Sequence, residues 1–137
     1  MIIHSESEMI ALGKTLAANL TPPKTIELTG DIGTGKTTLT KGIAQGLGIT
    51  DSITSPSFTI AKSYSDKTRS LTLTHLDFYR LTDPGIMQEA LSESIADPHT
   101  ITVIEWAASV TNLLPKDHIK ITINYNDDGT RSVEITQ

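Results

Sequence analysis

The residues from Gly30 to Thr37 have the types and the spacing that bind the phosphates of a nucleotide. They read G-x-x-x-x-G-K-T, the phosphate-binding loop (P-loop) of many nucleotidases. Glycines let the backbone curl so that several N–H groups point at phosphate oxygens, and Lys36 adds a positive charge for the β- and γ-phosphates. Thr37 offers a hydroxyl to Mg²⁺. The pattern predicts a site for a magnesium–nucleotide complex.

Two acidic residues stand where such a site needs a carboxylate. Asp77 and Glu105 each end an apolar, β-branched run that predicts a strand. P-loop proteins use a carboxylate in this place to hold Mg²⁺ or to orient water. The sequence leaves open how the two divide these roles. His75 alternates with Asp77 and is therefore predicted on the same face, with a structural or a catalytic role.

Two further residues near these carboxylates keep two interpretations each. Arg80 suits either phosphate charge or the cap of a helix. Trp106, the only tryptophan, suits either core packing or contact with a nucleotide or partner.

The segments around the P-loop have the order that the motif requires. Residues 24–29 predict a short strand before it, and apolar residues every fourth position predict a helix over 38–47, with Gly46 and Gly48 as stop signals. Upstream, Ser5 and Glu8 fit a capping box. The helix that they start is predicted to run to residues 21–23, mainly as core packing, with its first turn as a possible wall of the nucleotide site.

The rest of the chain predicts further strands and helices of a mixed fold. Residues 49–57 form a hydroxyl-rich loop, either a γ-phosphate sensor or a plain connection. Strands are predicted at 58–64, 70–77 and 100–104, the last one buried and parallel. Helices are predicted from 83–84 to 97–99 and over 107–114. A hairpin of 118–123 and 131–135 ends the chain at a sheet edge.

Composition limits the function classes. The chain of 137 residues predicts one domain, 1–137, with a sizeable core. It contains no cysteine, which excludes disulfides, thiolate catalysis and cysteine-ligated metals. Residues 1–20 do not read as a signal peptide, and nothing reads as a membrane span. The net charge of −5 argues against a protein that binds RNA on its own. The cluster of Lys62, Lys67 and Arg69 is therefore predicted to be a solvated hairpin tip, with a contact to nucleic acid as the alternative.

Four blocks taken together resemble the TsaE (YjeE) family. They are GDIGTGKTT, SPSFTI, HLDFYRL-x-DP and IEW, and the resemblance extends from the region of Glu6 to Arg131. Members are small bacterial P-loop ATPases that are needed for the threonylcarbamoyl modification of the tRNA adenosine next to the anticodon. The resemblance implies an α/β fold, a P-loop NTPase-like sheet with a parallel core extended by antiparallel strands and helices on both faces.

The resemblance also implies roles for particular residues. Asp77 matches the Walker-B-like aspartate, Glu105 a second magnesium-site residue, and residues 55–59 the hydroxyl-rich switch, with Ser57 where members commonly have threonine. The catalytic set that it implies is Lys36, Asp77 and Glu105, and the metal set is Thr37 and Glu105. Nucleotide contacts are expected from Glu6, Gly33, Thr34, Gly35, Lys36, Thr37, Thr38 and Arg131.

The function that follows is a cytoplasmic Mg²⁺-ATPase, weak alone, with Mg²⁺ and ATP or ADP as cofactors. The family's partners are the threonylcarbamoyl transferase and its inactive paralogue, a TsaD–TsaB type complex, which hold the tRNA. A small-molecule kinase is disfavoured because the chain has no lid or basic insertion. A GTPase is disfavoured because residues 124–127 lack the lysine of an N-K-x-D block. A regulatory subunit that binds nucleotide without turnover is the non-enzyme alternative.

Overall fold

The computed structural model describes residues 1–53, 61–66, 68, 70–78 and 85–137, without the side chains of residues 86 and 87. Within these residues the chain forms strands, α-helices and one 3₁₀ helix. In order they are β1 (Ile2–Ile3), α1 (Glu6–Ala18), β2 (Lys24–Thr29), α2 (Lys36–Gly46), β3 (Ala61–Asp66), β4 (Leu71–Asp77), α3 (Gly85–Ala96), β5 (Thr100–Glu105), the 3₁₀ helix (Ala107–Leu113), β6 (Ile119–Tyr125) and β7 (Arg131–Thr136).

All of these strands belong to one sheet, in the order β1-β7-β6-β2-β5-β4-β3. β2 lies parallel to β5 and β6, and β4 lies parallel to β5. Antiparallel pairing adds β3 to β4, β7 to β6 and the short β1 to β7. The structure therefore confirms the expected sheet, a parallel core extended by antiparallel strands at both edges.

Helices cover both faces of the sheet, as expected. On one face, α1 and α2 pack on β2, β5 and β6, and their contact includes Met9, Leu39, Ile43, Ile26 and Ile121. On the other face, Leu91 of α3 and Val110 of the 3₁₀ helix pack with Leu76 and Ile104. A fully buried aliphatic side chain contributes about 1.5–3 kcal/mol, so these two layers fix the sheet between them.

α1 and α2 touch through glycine, which brings the start of α1 beside the loop before α2. A Cβ atom on Gly13 would lie 2.6 Å from the backbone oxygen of Leu39, and one on Gly42 would lie 2.9 Å from Cα of Ile10. Real Cβ atoms do not approach backbone this closely, so the helix axes can be near only because both positions lack a side chain.

Several predicted bounds shift in the structure. α1 ends at Ala18 with Asn19 as its C-cap, so Leu20 lies beyond the helix, although it still packs on the core. The strand predicted at 58–64 is observed as β3 from Ala61 to Asp66, and residues 58–60 lie outside the described part. The short helix predicted at 107–114 is observed as a 3₁₀ helix, Ala107–Leu113. β1 was not predicted, and it takes the sheet edge beside the terminal hairpin. In the described part of the chain, no helix is both long and apolar enough to cross a bilayer.

Candidate functional site

A glycine loop joins the end of β2 to the start of α2. Gly33 and Gly35 have φ of 84° and 112°, a region that side chains disfavour, and Gly35 serves as N-cap of α2 without a side-chain hydrogen bond. Within the loop, the Thr34 hydroxyl donates to the carbonyl of Asp31 at 2.9 Å. The N-cap residue therefore gives the first N–H groups of α2 no side-chain partner, an arrangement that suits a phosphate at a helix N-terminus.

The Lys36 ammonium lies inside this loop, and the residue is buried, with 7% exposure. It donates to the carbonyls of Gly30 and, at 3.5 Å, of Asp31. Its Nζ is 3.7 Å from Oε1 of Glu105 and 4.4 Å from the ring centre of Trp106. The positive charge that the sequence predicted for phosphate is thus held at the loop by carbonyls, a carboxylate and an aromatic face.

The two candidate carboxylates end neighbouring parallel strands. Asp77 of β4 is the register partner of Glu105 of β5, so the two stand side by side at one edge of the sheet. Glu105 is buried, with 4% exposure, and Asp77 is half-buried. Immediately after Glu105 the chain turns through Trp106, whose φ of 59° is unusual for a bulky residue. The structure brings both carboxylates to the glycine loop's edge, and it places Glu105 within reach of Lys36.

His75 holds the other oxygen of Glu105. Its Nε2 lies 2.5 Å from Oε2 of Glu105, and the imidazole is fully buried. The sequence predicted that His75 and Asp77 lie on the same face of their strand. The register confirms this, and it places both on the face of the sheet that carries Glu105. Its partner could not be predicted from the sequence, because that partner lies on a different strand thirty residues away.

These side chains fit a magnesium ion by the chemistry of their donors. Mg²⁺ prefers hard oxygen ligands and commonly takes only one or two carboxylates, with phosphate and water completing its shell. Thr37 offers a hydroxyl at the second residue of α2, and Glu105 and Asp77 offer carboxylates. In the described segments, no group of three or more His, Cys, Asp and Glu side chains forms a cage for a metal.

A cavity of about 420 Å³ opens beside the glycine loop. This is within the range of small-ligand sites. The start of α1 forms one wall, and the hairpin of β6 and β7 forms another. Among its lining residues are Glu6, Met9, Gly33, Gly35, Thr38 and Arg131. The sequence-predicted residues Glu6 and Arg131, which are far apart in the chain, are thus brought to one cavity with the loop. Met9, in the same first turn of α1 as Glu6, lines the cavity as well.

Arg131 ties the terminal hairpin to the glycine loop. Its Nε donates to the carbonyl of Thr34 at 3.0 Å and its Nη1 to that of Gly129 at 2.7 Å. The guanidinium carbon lies 4.1 Å from the ring centre of Tyr125. These three contacts hold the arginine, with its positive charge, in the lining of the cavity.

The start of α1 confirms the predicted cap with one difference. The Ser5 hydroxyl accepts from the N–H of Glu8 at 3.1 Å, as a capping box requires. The Glu8 carboxylate, however, accepts from the N–H of His4 at 2.7 Å instead of from Ser5. This backbone hydrogen bond lowers the pKa of Glu8 below its ordinary value, with a smaller contribution from the His4 side chain. The cap fixes the turn that carries Glu6 at the cavity.

Some sequence predictions fall outside the described residues. They are the switch segment 55–59, Arg80, the Asp83–Pro84 start of the third helix, and Lys67 and Arg69 of the basic cluster. These stay predictions.

Comparison with known proteins gives a consistent result. Residues 3–133 match the family model described as "Threonylcarbamoyl adenosine biosynthesis protein TsaE". A protein of Bacillus subtilis named "tRNA threonylcarbamoyladenosine biosynthesis protein TsaE" is 37% identical over 129 residues, which cover 94% of this chain and 79% of that one. A protein of the same name from Rickettsia bellii is 36% identical, covering 98% and 92%. The crystal structure of YdiB from Bacillus subtilis superposes with a TM-score of 0.79 at 33% identity, covering 97% of this chain and 80% of that one.

Proposed function

Because this chain belongs to the TsaE family, we propose that it binds and hydrolyses Mg-ATP as a subunit in the threonylcarbamoyl modification of the tRNA adenosine next to the anticodon. The observation that carries the proposal is the buried Lys36–Glu105 pair, 3.7 Å apart at the mouth of a glycine loop. A cation and a carboxylate at the start of a helix, beside a cavity of nucleotide size, suit phosphoryl chemistry.

The glycine loop and the cavity would bind different parts of the nucleotide. Backbone N–H groups from Gly33 to Thr38 would hold the phosphates, with Lys36 leaving the loop carbonyls to meet the β- and γ-phosphates. The rest of the nucleotide would lie in the cavity, which Glu6 and Arg131 both line. Both ATP and ADP would fit this division, because they share everything but the γ-phosphate.

Thr37 and Glu105 would hold Mg²⁺, with Asp77 as the neighbouring carboxylate. When bound, Mg²⁺ supplies charge neutralisation between the phosphate oxygens. Hydrolysis needs a water molecule in line with the γ-phosphate, and Asp77 or Glu105 would accept hydrogen bonds from that water and orient it. Lys36 would stabilise the negative charge that spreads over the phosphate oxygens.

Turnover by the chain alone would be slow. Within the described residues the only arginine is Arg131, and its guanidinium is bonded to the carbonyls of Thr34 and Gly129. An arginine aimed at the transferring phosphate is worth roughly 10³–10⁵ in rate, and Arg131, held by these two carbonyls, is not placed to supply it. We propose that the partner complex, the threonylcarbamoyl transferase with its inactive paralogue, supplies the missing help in the cytoplasm. The net charge of −5 fits a subunit that meets tRNA through those partners.

The test is phosphate release from Mg-ATP by the chain alone and with the transferase pair. We expect slow release alone and strong stimulation by the pair. Fast release that the pair leaves unchanged would contradict the partner model and favour a kinase. Nucleotide binding with no release in either case would favour a regulatory subunit.

Glu105→Gln tests the site itself, since it keeps the size of the side chain and removes its charge. We expect nucleotide to bind and stimulated phosphate release to be lost. The matched control is Glu93→Gln, which makes the same change on the exposed surface of α3 and should leave release unchanged. Equal release by the two variants would overturn the assignment of Glu105.

A further inference from the structure

His75 is a fully buried histidine with one polar contact in the described structure. Its Nε2 meets Oε2 of Glu105 at 2.5 Å, and its Nδ1 has no hydrogen-bond partner there. The side chain sits on the α2 face of the sheet, among the aliphatic side chains of β4 and β5. A buried imidazole whose hydrogen bonding is directed at a single carboxylate calls for an explanation beyond core packing.

The partner decides which nitrogen carries the proton. A carboxylate oxygen only accepts, so Nε2 must donate, and a neutral imidazole then leaves Nδ1 with a lone pair. The direction of this hydrogen bond is therefore fixed by chemistry. His75 acts on Glu105 as a donor held rigidly by the strand on which it stands.

The two carboxylate oxygens of Glu105 have different partners. Oε2 is taken by His75, and Oε1 faces the Lys36 ammonium at 3.7 Å. We propose that His75 is a positioning residue that holds Glu105 with Oε1 facing the glycine loop, and thereby sets the affinity of the site for magnesium–nucleotide. This inference rests on the proposed magnesium site at Thr37 and Glu105.

Loss of the donor would free the orientation of Glu105. Without His75 the carboxylate can rotate, so that Oε1 is no longer held toward the glycine loop. Oxygen ligands also bind a metal best when a second residue fixes their orientation, and loss of such a residue typically costs 10–100-fold in metal affinity or activity. A purely structural histidine would instead change stability and leave the metal response intact.

The experiment compares His75→Leu with His75→Gln. Leucine fills similar space without a donor, whereas the glutamine amide can place an N–H near the position of Nε2. The readout is the affinity for ADP by calorimetry, in excess Mg²⁺ and in EDTA, beside thermal unfolding of each variant. The ratio of the two affinities is the magnesium gain, and it needs no catalysis.

The matched control is Thr102→Val on β5. Thr102 is fully buried and its hydroxyl bonds to Ser94 at 2.6 Å, on the opposite face of the sheet from Glu105. This variant also loses a buried hydrogen bond, so it is expected to lose stability while keeping the magnesium gain.

We expect His75→Leu to lose at least tenfold of the magnesium gain, with ADP affinity in EDTA within about twofold of wild type, and His75→Gln to restore most of it. A His75→Leu protein with the wild-type gain would overturn the role of His75. Wild-type protein that binds no ADP, or binds it equally in EDTA, would overturn the magnesium site itself. If His75→Leu does not fold, His75→Asn replaces it, because the shorter amide cannot reach Glu105, and a gain equal to that of His75→Gln would overturn the proposal.

Discussion

Gly42→Ala should weaken both the fold and the nucleotide site. Gly42 lies in the middle of α2, against α1, and a Cβ atom there would overlap the carbonyl oxygen of Ile10. It would also lie 2.9 Å from Cα of Ile10 and 3.0 Å from Cα of Gly13. All three are backbone atoms, so no side chain can rotate away. Favourable carbon contacts begin near 3.5 Å, so the helices must separate by about 0.5 Å or more.

The magnitude follows from two opposing effects. Alanine is better than glycine within a helix by about 1 kcal/mol. Overpacking of a tight contact typically costs about 1–3 kcal/mol, and a clash with rigid backbone belongs at the upper end. The net loss is about 1–2 kcal/mol, which for a chain of this size lowers Tm by roughly 4–8 °C. The start of α1 and the glycine loop border the same cavity, so their separation should also weaken ADP binding several-fold.

Thermal unfolding by circular dichroism and ADP calorimetry measure the two effects. The matched control is Ala11→Gly, the opposite exchange at an exposed position of α1. It should cost about 1 kcal/mol through helix propensity alone and leave ADP affinity unchanged. A Gly42→Ala protein as stable as wild type or more stable would contradict this prediction, because helix propensity would then have outweighed the tight contact.

Three further predictions concern the cavity walls. Arg131→Ala should lower ADP affinity about tenfold, because it removes the charge at the cavity mouth and the bond to the Thr34 carbonyl; equal calorimetric affinities for the variant and wild type would contradict this. Ser5→Ala should destabilise the fold by about 1 kcal/mol through loss of the α1 cap, and an unchanged Tm would count against the cap. The lowered pKa of Glu8, caused mainly by the His4 N–H, means that its ionised form stabilises the fold above the ordinary glutamate pKa. That contribution is lost as pH falls through the lowered pKa, so Glu8→Gln should flatten the fall of Tm in this acidic range, and identical pH profiles would exclude it.

Local patterns were sufficient wherever the determinants of structure lie close together in the chain. The glycine loop between β2 and α2 was predicted because its glycines, Lys36 and the flanking strand and helix are contiguous. The end of α2 was also predicted, through Gly48, whose φ of 85° and N–H bond to Gln45 stop the helix. Gly46, predicted as a second stop signal, is instead the last residue of α2 and packs against Ala17 of α1.

What the sequence did not show depends on contacts between distant residues. β1 has two residues, too few for any periodicity, and it exists because β7 supplies its hydrogen bonds. The bond from His75 to Glu105 joins two strands, and the bond from Arg131 to Thr34 spans 97 positions. The family resemblance pointed to Arg131, whereas the periodicity of the hairpin gave no reason to prefer it.

The topology explains why these residues lie together at one edge of the sheet, the edge formed by the carboxyl ends of its parallel strands. Parallel strands end together, so β2, β4 and β5 deliver the glycine loop, Asp77 and Glu105 to the same edge. β7 runs antiparallel to β6 and reaches that edge with its first residue, Arg131, whereas the short β1 reaches it with its last residue, Ile3. β3 likewise begins there, since Ala61 pairs with Leu76 near the end of β4. The antiparallel strands therefore do more than widen the sheet, because each of them has one end at the edge where the candidate site lies.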